Sequence, residues 1–131
     1  MISPIFHHPS IQVRPCAFGW GVFAAADIEP STVLERAPFL VLDPVDTSNP
    51  PLNDYVFAVT YDKRSSLYGQ LAMVLGWGSL FNHADDPNVE PRMVLESRLF
   101  EFVAVRTIPA GDQCFVSYGE AWWSERGRAA R

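Results

Sequence analysis

Residues 76–90 read Gly-Trp-Gly-Ser-Leu-Phe-Asn-His-Ala-Asp-Asp-Pro-Asn-Val-Glu, and they change abruptly from apolar to polar after Phe81. The stretch directly follows residues 71–75, the most apolar run of the chain. A polar segment that leaves an apolar element is either an ordinary surface loop or a site held in place by the core. Asp86-Pro87-Asn88 is also typical of a plain turn. Taken alone, the stretch leaves both interpretations open.

Length and composition limit the class of protein. The chain has 131 residues, of which 48% are hydrophobic and 19% charged, so we expect a single domain over residues 1–131 with a real core. A net charge of −5 disfavours a nucleic-acid-binding face and is better matched to a cationic partner. The N-terminal sequence lacks the pattern of a signal peptide, and no apolar run approaches the ~18 residues of a membrane span. We therefore expect a soluble intracellular protein, cytoplasmic or, in a eukaryote, nuclear, that binds neither nucleic acid nor membrane.

The rest of the chain predicts a mostly β fold with few short helices. Strand patterns occur at residues 11–14, 32–36, 39–42, 55–59, 93–95, 99–105 and 114–117. Pro38 is expected to separate the second strand from the third. Residues 96–98 are expected to form a three-residue hairpin loop. Residues 71–75 fit a short helix or a buried strand equally well. Short strands with many prolines and no long amphipathic helix indicate two or three small sheets.

Residues 19–24, Gly-Trp-Gly-Val-Phe-Ala, match the pattern G-x-G-x-x-[G/A]. A dinucleotide site requires a strand before this pattern and a helix after it. Pro15 ends the preceding element and Glu29-Pro30 would stop a helix early, so that interpretation is disfavoured. Two remain open. The segment is a glycine turn between strands, or its backbone is exposed to a ligand that Trp20 frames.

Other kinds of site find weaker support. Asn82, His83 and the two aspartates that follow suit a divalent metal, with His7-His8 as extra ligands, but no His or Cys pair fixes a geometry. We predict no metal. Cys16 and Cys114 are expected to be buried small hydrophobes. A nucleophilic triad is disfavoured because no G-x-S-x-G elbow exists.

Three motifs, in this order, together resemble the SET-domain protein lysine methyltransferases. The first is the early Gly-x-Gly at residues 19–21. The second is the family's Asn-His-Ser-x-x-Pro-Asn, which reads Asn-His-Ala-Asp-Asp-Pro-Asn at residues 82–88. The third is an Ile-x-x-Gly turn at residues 108–111, followed by a strand and Tyr118. The resemblance covers residues 13–123. Ala84 stands for the family's Ser and Asp85 for a frequent Cys, and no cysteine-rich zinc segment follows Tyr118.

The resemblance implies a fold of several small sheets around a knot-like core, in which residues 82–88 and the segment around Tyr118 are threaded. It also implies S-adenosylmethionine as cofactor. The early motif would contact the methionine part through its backbone, Asn82 would hold the amino group, and the His83 backbone would face adenine. The cofactor-binding residues that we predict are Gly19, Trp20, Gly21, Asn82, His83 and Trp122.

The implied activity is methyl transfer to a lysine side chain of a basic protein or peptide. Tyr118 would be the catalytic residue at the inner end of a lysine channel lined by Tyr55, Phe81 and Phe115. The tryptophan pair at 122–123 or a second subunit, as in a homodimer, would complete that channel. Two alternatives stay open, an inactive SET-fold module for protein interaction and an unrelated small β domain.

Overall fold

The computed structural model describes residues 5–17, 19–44, 52–94 and 96–118, and these residues form an almost entirely β fold. The strands are β1 (Phe6–His7), β2 (Ile11–Cys16), β3 (Gly19–Ala24), β4 (Val33–Leu42), β5 (Val56–Ala58), β6 (Leu71–Val74), β7 (Asn82–His83), β8 (Val89–Val94), β9 (Leu99–Ala104) and β10 (Gln113–Val116). Short 3-10 turns lie at Leu52–Asp54 and Gly78–Leu80. The prediction of a mostly β fold is confirmed. Among the described residues, no helix has the length and apolar character needed to cross a bilayer.

The strands form two sheets. The larger sheet has the order β5-β6-β4-β9-β8, with β1 paired to β4 as well. The smaller sheet has the order β2-β3-β10-β7. In the smaller sheet β7 and β10 run parallel, with Asn82 opposite Phe115 and His83 opposite Val116. This parallel contact joins two segments far apart in the chain, as a knot-like core requires.

The predicted break at Pro38 is wrong, because β4 runs through it without interruption. Pro38 is the last residue of β4 that pairs with β9, and Phe39 is the first that pairs with β6. A proline lacks the amide hydrogen that a ladder bond needs, but at this junction between two partners the loss is tolerated. Its carbonyl is still used, since it accepts a hydrogen bond of 2.9 Å from the Leu75 amide.

Two other ambiguous segments are strands. Residues 71–74 form β6, which lies between β4 and β5, so pairing on both edges favours the strand over a helix. Residues 19–24 form β3 rather than a glycine turn, and β3 pairs with both β2 and β10. The predicted hairpin at 93–105 exists, but its first strand already begins at Val89 and pairs along its length with β9.

The core lies between the two sheets and draws on both. Its largest fully buried side chains include Phe81 and Phe102, whose rings stack with centroids 4.6 Å apart. Cys114 is buried as expected, and desolvation, with a smaller contribution from Asp112, raises the pKa of its thiol to about 12. Cys16 differs from the expectation. It is only half-buried, and its sulfur lies 3.4 Å from Nδ2 of Asn82.

Candidate active site

The smaller sheet brings the three sequence motifs together. β10 is the central element, because it pairs with the glycine strand β3 on one edge and with Asn82–His83 on the other. Tyr118 follows two residues after the end of β10. The motifs are therefore neighbours in space because one short strand pairs with the first, pairs with the second and leads into the third.

Asn82 is tied to the glycine strand by its side-chain amide. Its Nδ2 donates to the carbonyl oxygen of Trp20 at 3.0 Å and to Oε1 of Gln113 at 2.8 Å. These acceptors fix the orientation of the amide, since its other end could not donate. Within the described part of the chain, Oδ1 of Asn82 accepts no hydrogen bond, and all of its side-chain bonds are made through Nδ2. The residue is anchored through its nitrogen and presents its oxygen.

The two glycines of β3 serve different purposes. A Cβ on Gly21 would lie 2.6 Å from Oε1 of Gln113 and 3.0 Å from Nδ2 of Asn82, so a side chain here would displace the anchored amide. Gly19 has a φ of +102°, which side chains rarely allow, and its hypothetical Cβ has no described atom within 4 Å. Gly21 admits the chain's own polar groups, whereas no described residue crowds Gly19.

His83 links the middle motif to Tyr118. Its Nδ1 accepts a hydrogen bond of 3.0 Å from the Tyr118 backbone amide. In the neutral ring the proton must then be on Nε2, which lies 2.8 Å from Oδ1 of Asp85. The His83 side chain is 3% exposed and that of Asp85 is 79% exposed. An accessible carboxylate thus orients a buried imidazole that holds Tyr118.

The Tyr118 side chain is held by the same segment. Its hydroxyl donates to the carbonyl oxygen of Phe81 at 2.9 Å, and its ring centroid lies 5.2 Å from that of His83. Both the backbone and the phenol of Tyr118 are therefore fixed by residues 81–83. A phenol that donates its proton to a carbonyl still has lone pairs on its oxygen that can act as acceptors.

Asn88 stabilises this arrangement from the end of the middle motif. Its Nδ2 donates to the Gln113 carbonyl at 3.0 Å, and its Oδ1 accepts from the Phe115 amide at 2.7 Å. The amide thereby bonds the backbone of β10 as a neighbouring strand would. Arg106 binds both the carboxylate and the carbonyl of Asp86, at 2.9 and 2.8 Å, which secures the turn before Asn88.

Comparison with known proteins decides the family. The SET domain family profile matches residues 19–119, which include all three motifs. This chain belongs to the SET-domain family. A curated relative from Schizosaccharomyces pombe, 28% identical over 130 residues, covers 95% of this chain and 83% of its own length. It is named Histone-lysine N-methyltransferase, H3 lysine-37 specific.

A solved structure supports the same assignment. A candidate histone methyltransferase from Plasmodium falciparum matches with a TM-score of 0.64 and 26% identity, covering 88% of this chain and 98% of its own. Together the comparisons confirm that this SET domain is of the protein-lysine methyltransferase class.

The predicted channel residues occupy three different environments in this SET domain. Phe81 is 1% exposed in the core, and what it offers Tyr118 is its carbonyl. Phe115 is half-buried on β10, opposite Asn82. Tyr55 is 47% exposed, and its carbonyl accepts from Ser79 Oγ at 3.0 Å, which connects it to the turn before Phe81. Trp122 lies outside the described residues.

Sequence reasoning missed several residues of the site. Gln113 and Cys16 both contact the Asn82 amide, and Asp85 contacts His83. Alternation along β10 offered one signal. Cys114 and Val116 are buried, which places Gln113 on the other face of the strand. Asp85 was considered as a metal ligand and as a departure from the family motif, but not as a partner of the His83 ring.

The residues considered for a metal site are bonded elsewhere. His7 pairs with Glu35, and Nδ1 of His8 accepts from the Ser10 amide at 3.0 Å. Asp86 pairs with Arg106. In the described part of the chain, no group of three His, Cys, Asp or Glu side chains is arranged to hold a metal ion.

Proposed function

We propose that this SET domain transfers a methyl group from S-adenosylmethionine to the side-chain nitrogen of a lysine in a basic protein. One observation carries the proposal. Residues 81–83 hold Tyr118 at its amide and its hydroxyl. Asn82, in the middle of this segment, is bonded to the glycine strand through its side-chain nitrogen. A single rigid segment therefore fixes the candidate catalytic residue relative to the candidate cofactor-binding residues.

The polar groups present fit the methionine part of the cofactor. Since the Asn82 nitrogen is already bonded to Trp20 and Gln113, the residue can offer only its oxygen to a ligand. An acceptor suits the ammonium group rather than the carboxylate. Within the described part of the chain, no atom lies within 4 Å of a hypothetical Cβ on Gly19 and Trp20 is 57% exposed, which is consistent with a ligand beside these two residues. Contacts of the His83 backbone with adenine, and any role of Trp122, stay predictions.

The chemistry requires positioning more than acid or base groups. When bound, S-adenosylmethionine supplies a methyl group on a positively charged sulfur, which a neutral lysine nitrogen takes by in-line displacement. Alignment of reacting groups supplies much of the rate of such a step. The Tyr118 oxygen can accept from the polarised methyl and stabilise its positive charge in the transition state. An apolar channel would favour the neutral lysine by desolvation.

The substrate class follows from charge and from the relatives. A net charge of −5 favours a basic partner. The Schizosaccharomyces pombe relative is named for a histone H3 lysine. We therefore propose a basic protein as substrate and take histone H3 as the first to test. In a eukaryotic cell such a substrate would place the enzyme in the nucleus.

The test combines binding and transfer. Calorimetry should detect S-adenosylmethionine binding to the wild-type chain, and labelled methyl should appear on lysine of histone H3 or of another basic protein. Tyr118→Phe should lower the transfer rate by roughly 10²-fold, the cost of losing one group that stabilises transition-state charge. Tyr61→Phe, at a side chain that is 85% exposed, should leave the rate unchanged. If the wild-type chain did not bind S-adenosylmethionine, the proposed function would be rejected. Equal transfer rates for wild type and Tyr118→Phe would exclude the Tyr118 hydroxyl from the mechanism.

A further inference from the structure

The N-terminal strand β1 carries a histidine that the proposed reaction does not use. His7 precedes the family match, which begins at residue 19. Its Nε2 lies 2.7 Å from Oε2 of Glu35, and its ring stacks on Trp77 with centroids 4.0 Å apart and an angle of 13° between the planes. We call these three residues the His7–Glu35–Trp77 clasp. It joins β1, β4 and the turn that leads into the middle motif.

Glu35 is the centre of the clasp and an unusual residue for a core. Its side chain is 0% exposed. Oε2 also accepts a hydrogen bond of 2.8 Å from the Trp77 amide, whereas the buried Oε1 has no hydrogen-bond partner among the described residues. Burial raises the pKa of Glu35, opposed by its bonds to Trp77 and His7. A buried carboxyl group with an unsatisfied oxygen costs stability, so its presence calls for a compensating purpose.

The turn beside the clasp is built to fit it. Gly76 has a φ of +75°, and a Cβ there would lie 2.9 Å from Oε2 of Glu35. Trp77 begins the 3-10 turn, since its carbonyl accepts from the Leu80 amide at 2.9 Å. A Cβ on Gly78 would lie 2.4 Å from Val74 Cγ1, so the turn has no spare space. A displacement of Trp77 would therefore displace the residues that follow it, because the turn has no room to adjust.

The clasp reaches the candidate active site through five residues of tightly packed chain. The turn Gly78–Leu80 packs against the glycine strand β3. Phe81 then stacks on Phe102 and offers its carbonyl to the Tyr118 hydroxyl. Asn82 follows immediately. A shift of Trp77 would thus move the groups that hold Tyr118 and the oxygen proposed to bind the cofactor.

We propose that His7 and Glu35 are positioning residues, which set the affinity for the cofactor by holding Trp77 and, through it, residues 81–83. The identity of the ligand rests on the proposed function, whereas the positioning of residues 81–83 by Trp77 does not. The essential contact is the hydrogen bond from His7 to Glu35, and the stacked ring limits the movement of Trp77.

Variants of the full chain separate the hydrogen bond from the ring. His7→Phe keeps a ring on Trp77 but removes the donor, and His7→Gln keeps a donor at a similar reach. S-adenosylmethionine binding is measured by calorimetry, and hydrogen exchange of the Tyr118 amide is measured by NMR without cofactor. We expect His7→Phe to bind about tenfold more weakly and to exchange faster, and His7→Gln to stay within about twofold of wild type. The matched control is His8→Ala, which should change neither quantity.

The outcomes separate positioning from simple stabilisation. If His7→Phe lowers the stability to urea but leaves cofactor affinity and Tyr118 exchange as in wild type, the inference is overturned. It is also overturned if His7→Gln weakens cofactor binding and speeds Tyr118 amide exchange as much as His7→Phe does. Should the wild type bind no S-adenosylmethionine, the proposed function fails, but the exchange measurement still decides the inference. His7→Ala, which removes ring and donor together, provides a second variant for both readouts.

Discussion

Two asparagines of the middle motif serve different purposes because their amides meet different neighbours. Asn88 uses both ends of its amide on the backbone of β10. Asn82 uses only its nitrogen, which is bound to Trp20 and Gln113. Both side chains are buried to the same extent, with 9% of each residue exposed. Burial alone would not distinguish them, whereas the inventory of donors and acceptors shows that Asn88 bonds the fold at both ends and is consistent with the proposed role of Asn82 in cofactor binding.

Glu35 gives a prediction at the residue scale. Because burial raises its pKa above the ordinary value of 4.5, the native state favours the protonated form. The contribution of Glu35 to stability is therefore fully present below pH 4.5 and is lost as the pH rises through the raised pKa. As the pH rises from 4.5 through the raised pKa, the free energy of unfolding of Glu35→Gln should increase relative to wild type, by roughly 1.4 kcal/mol for each unit by which the pKa is raised. Urea unfolding at a series of pH values measures the difference.

The control for this prediction is Glu90→Gln. Glu90 is exposed and pairs with Arg92 on the surface, where solvent screens the charge. Its substitution should change the pH dependence of unfolding little. A Glu35→Gln variant whose stability followed wild type at every pH would show that the buried carboxyl group does not control this dependence.

At the scale of elements, the four residues of β10 organise the site. The strand pairs with β3 through Gln113 and Cys114, and with β7 through Phe115 and Val116. Each half of β10 therefore has a different main partner. The Asn88 amide supplements this pairing because it bonds the backbone at both Gln113 and Phe115. A strand this short depends on such supplementary bonds for a fixed position.

Asn88→Asp tests the contribution of that amide to the position of β10. An aspartate can still accept from the Phe115 amide but cannot donate to the Gln113 carbonyl, which would face a negative oxygen instead. We expect a loss of about 1–3 kcal/mol in the free energy of unfolding, the cost of an unpaired buried group. Urea unfolding measures it. Asp86→Asn, at an exposed surface pair with Arg106, should cost less than about 1 kcal/mol. Equal stabilities of the two variants would contradict this account of Asn88.

At the scale of the whole molecule, charge should affect encounter more than chemistry. The chain carries 15 acidic residues against 10 lysines and arginines, so it should attract the proposed basic substrate over a distance. Salt screens that attraction, with a Debye length of about 10 Å at 0.1 M. As the salt is raised from about 50 to about 200 mM NaCl, we expect KM for a histone H3 peptide to rise severalfold and kcat to change little. Steady-state kinetics would check this, with a control peptide in which uncharged residues flank the lysine. A KM for the histone H3 peptide that did not depend on salt would exclude long-range attraction.

The sequence by itself determined the β character, the segment order and the family motifs. These features are encoded locally, since glycine, proline and alternating apolar residues restrict the backbone wherever they occur. Local rules also misled. Pro38 was expected to end a strand, because a sequence does not show that β4 exchanges one partner for another at that residue. The glycine motif was open to interpretation as a turn for the same reason, since its strand partners lie elsewhere in the chain.

Only the tertiary structure decided which side chains meet. Asn82 reaches Trp20 across 62 residues of sequence and Gln113 across 31, and Glu35 reaches Trp77 across 42. No local pattern encodes such contacts, because they depend on how distant strands are placed by the packing of a shared core. The stretch at residues 76–90 could be predicted as the centre of a site only in combination with the glycine motif and Tyr118, since its own sequence also fits a plain loop. That its turn is held by His7 and Glu35, and that its asparagine presents an oxygen, followed only from folding the chain.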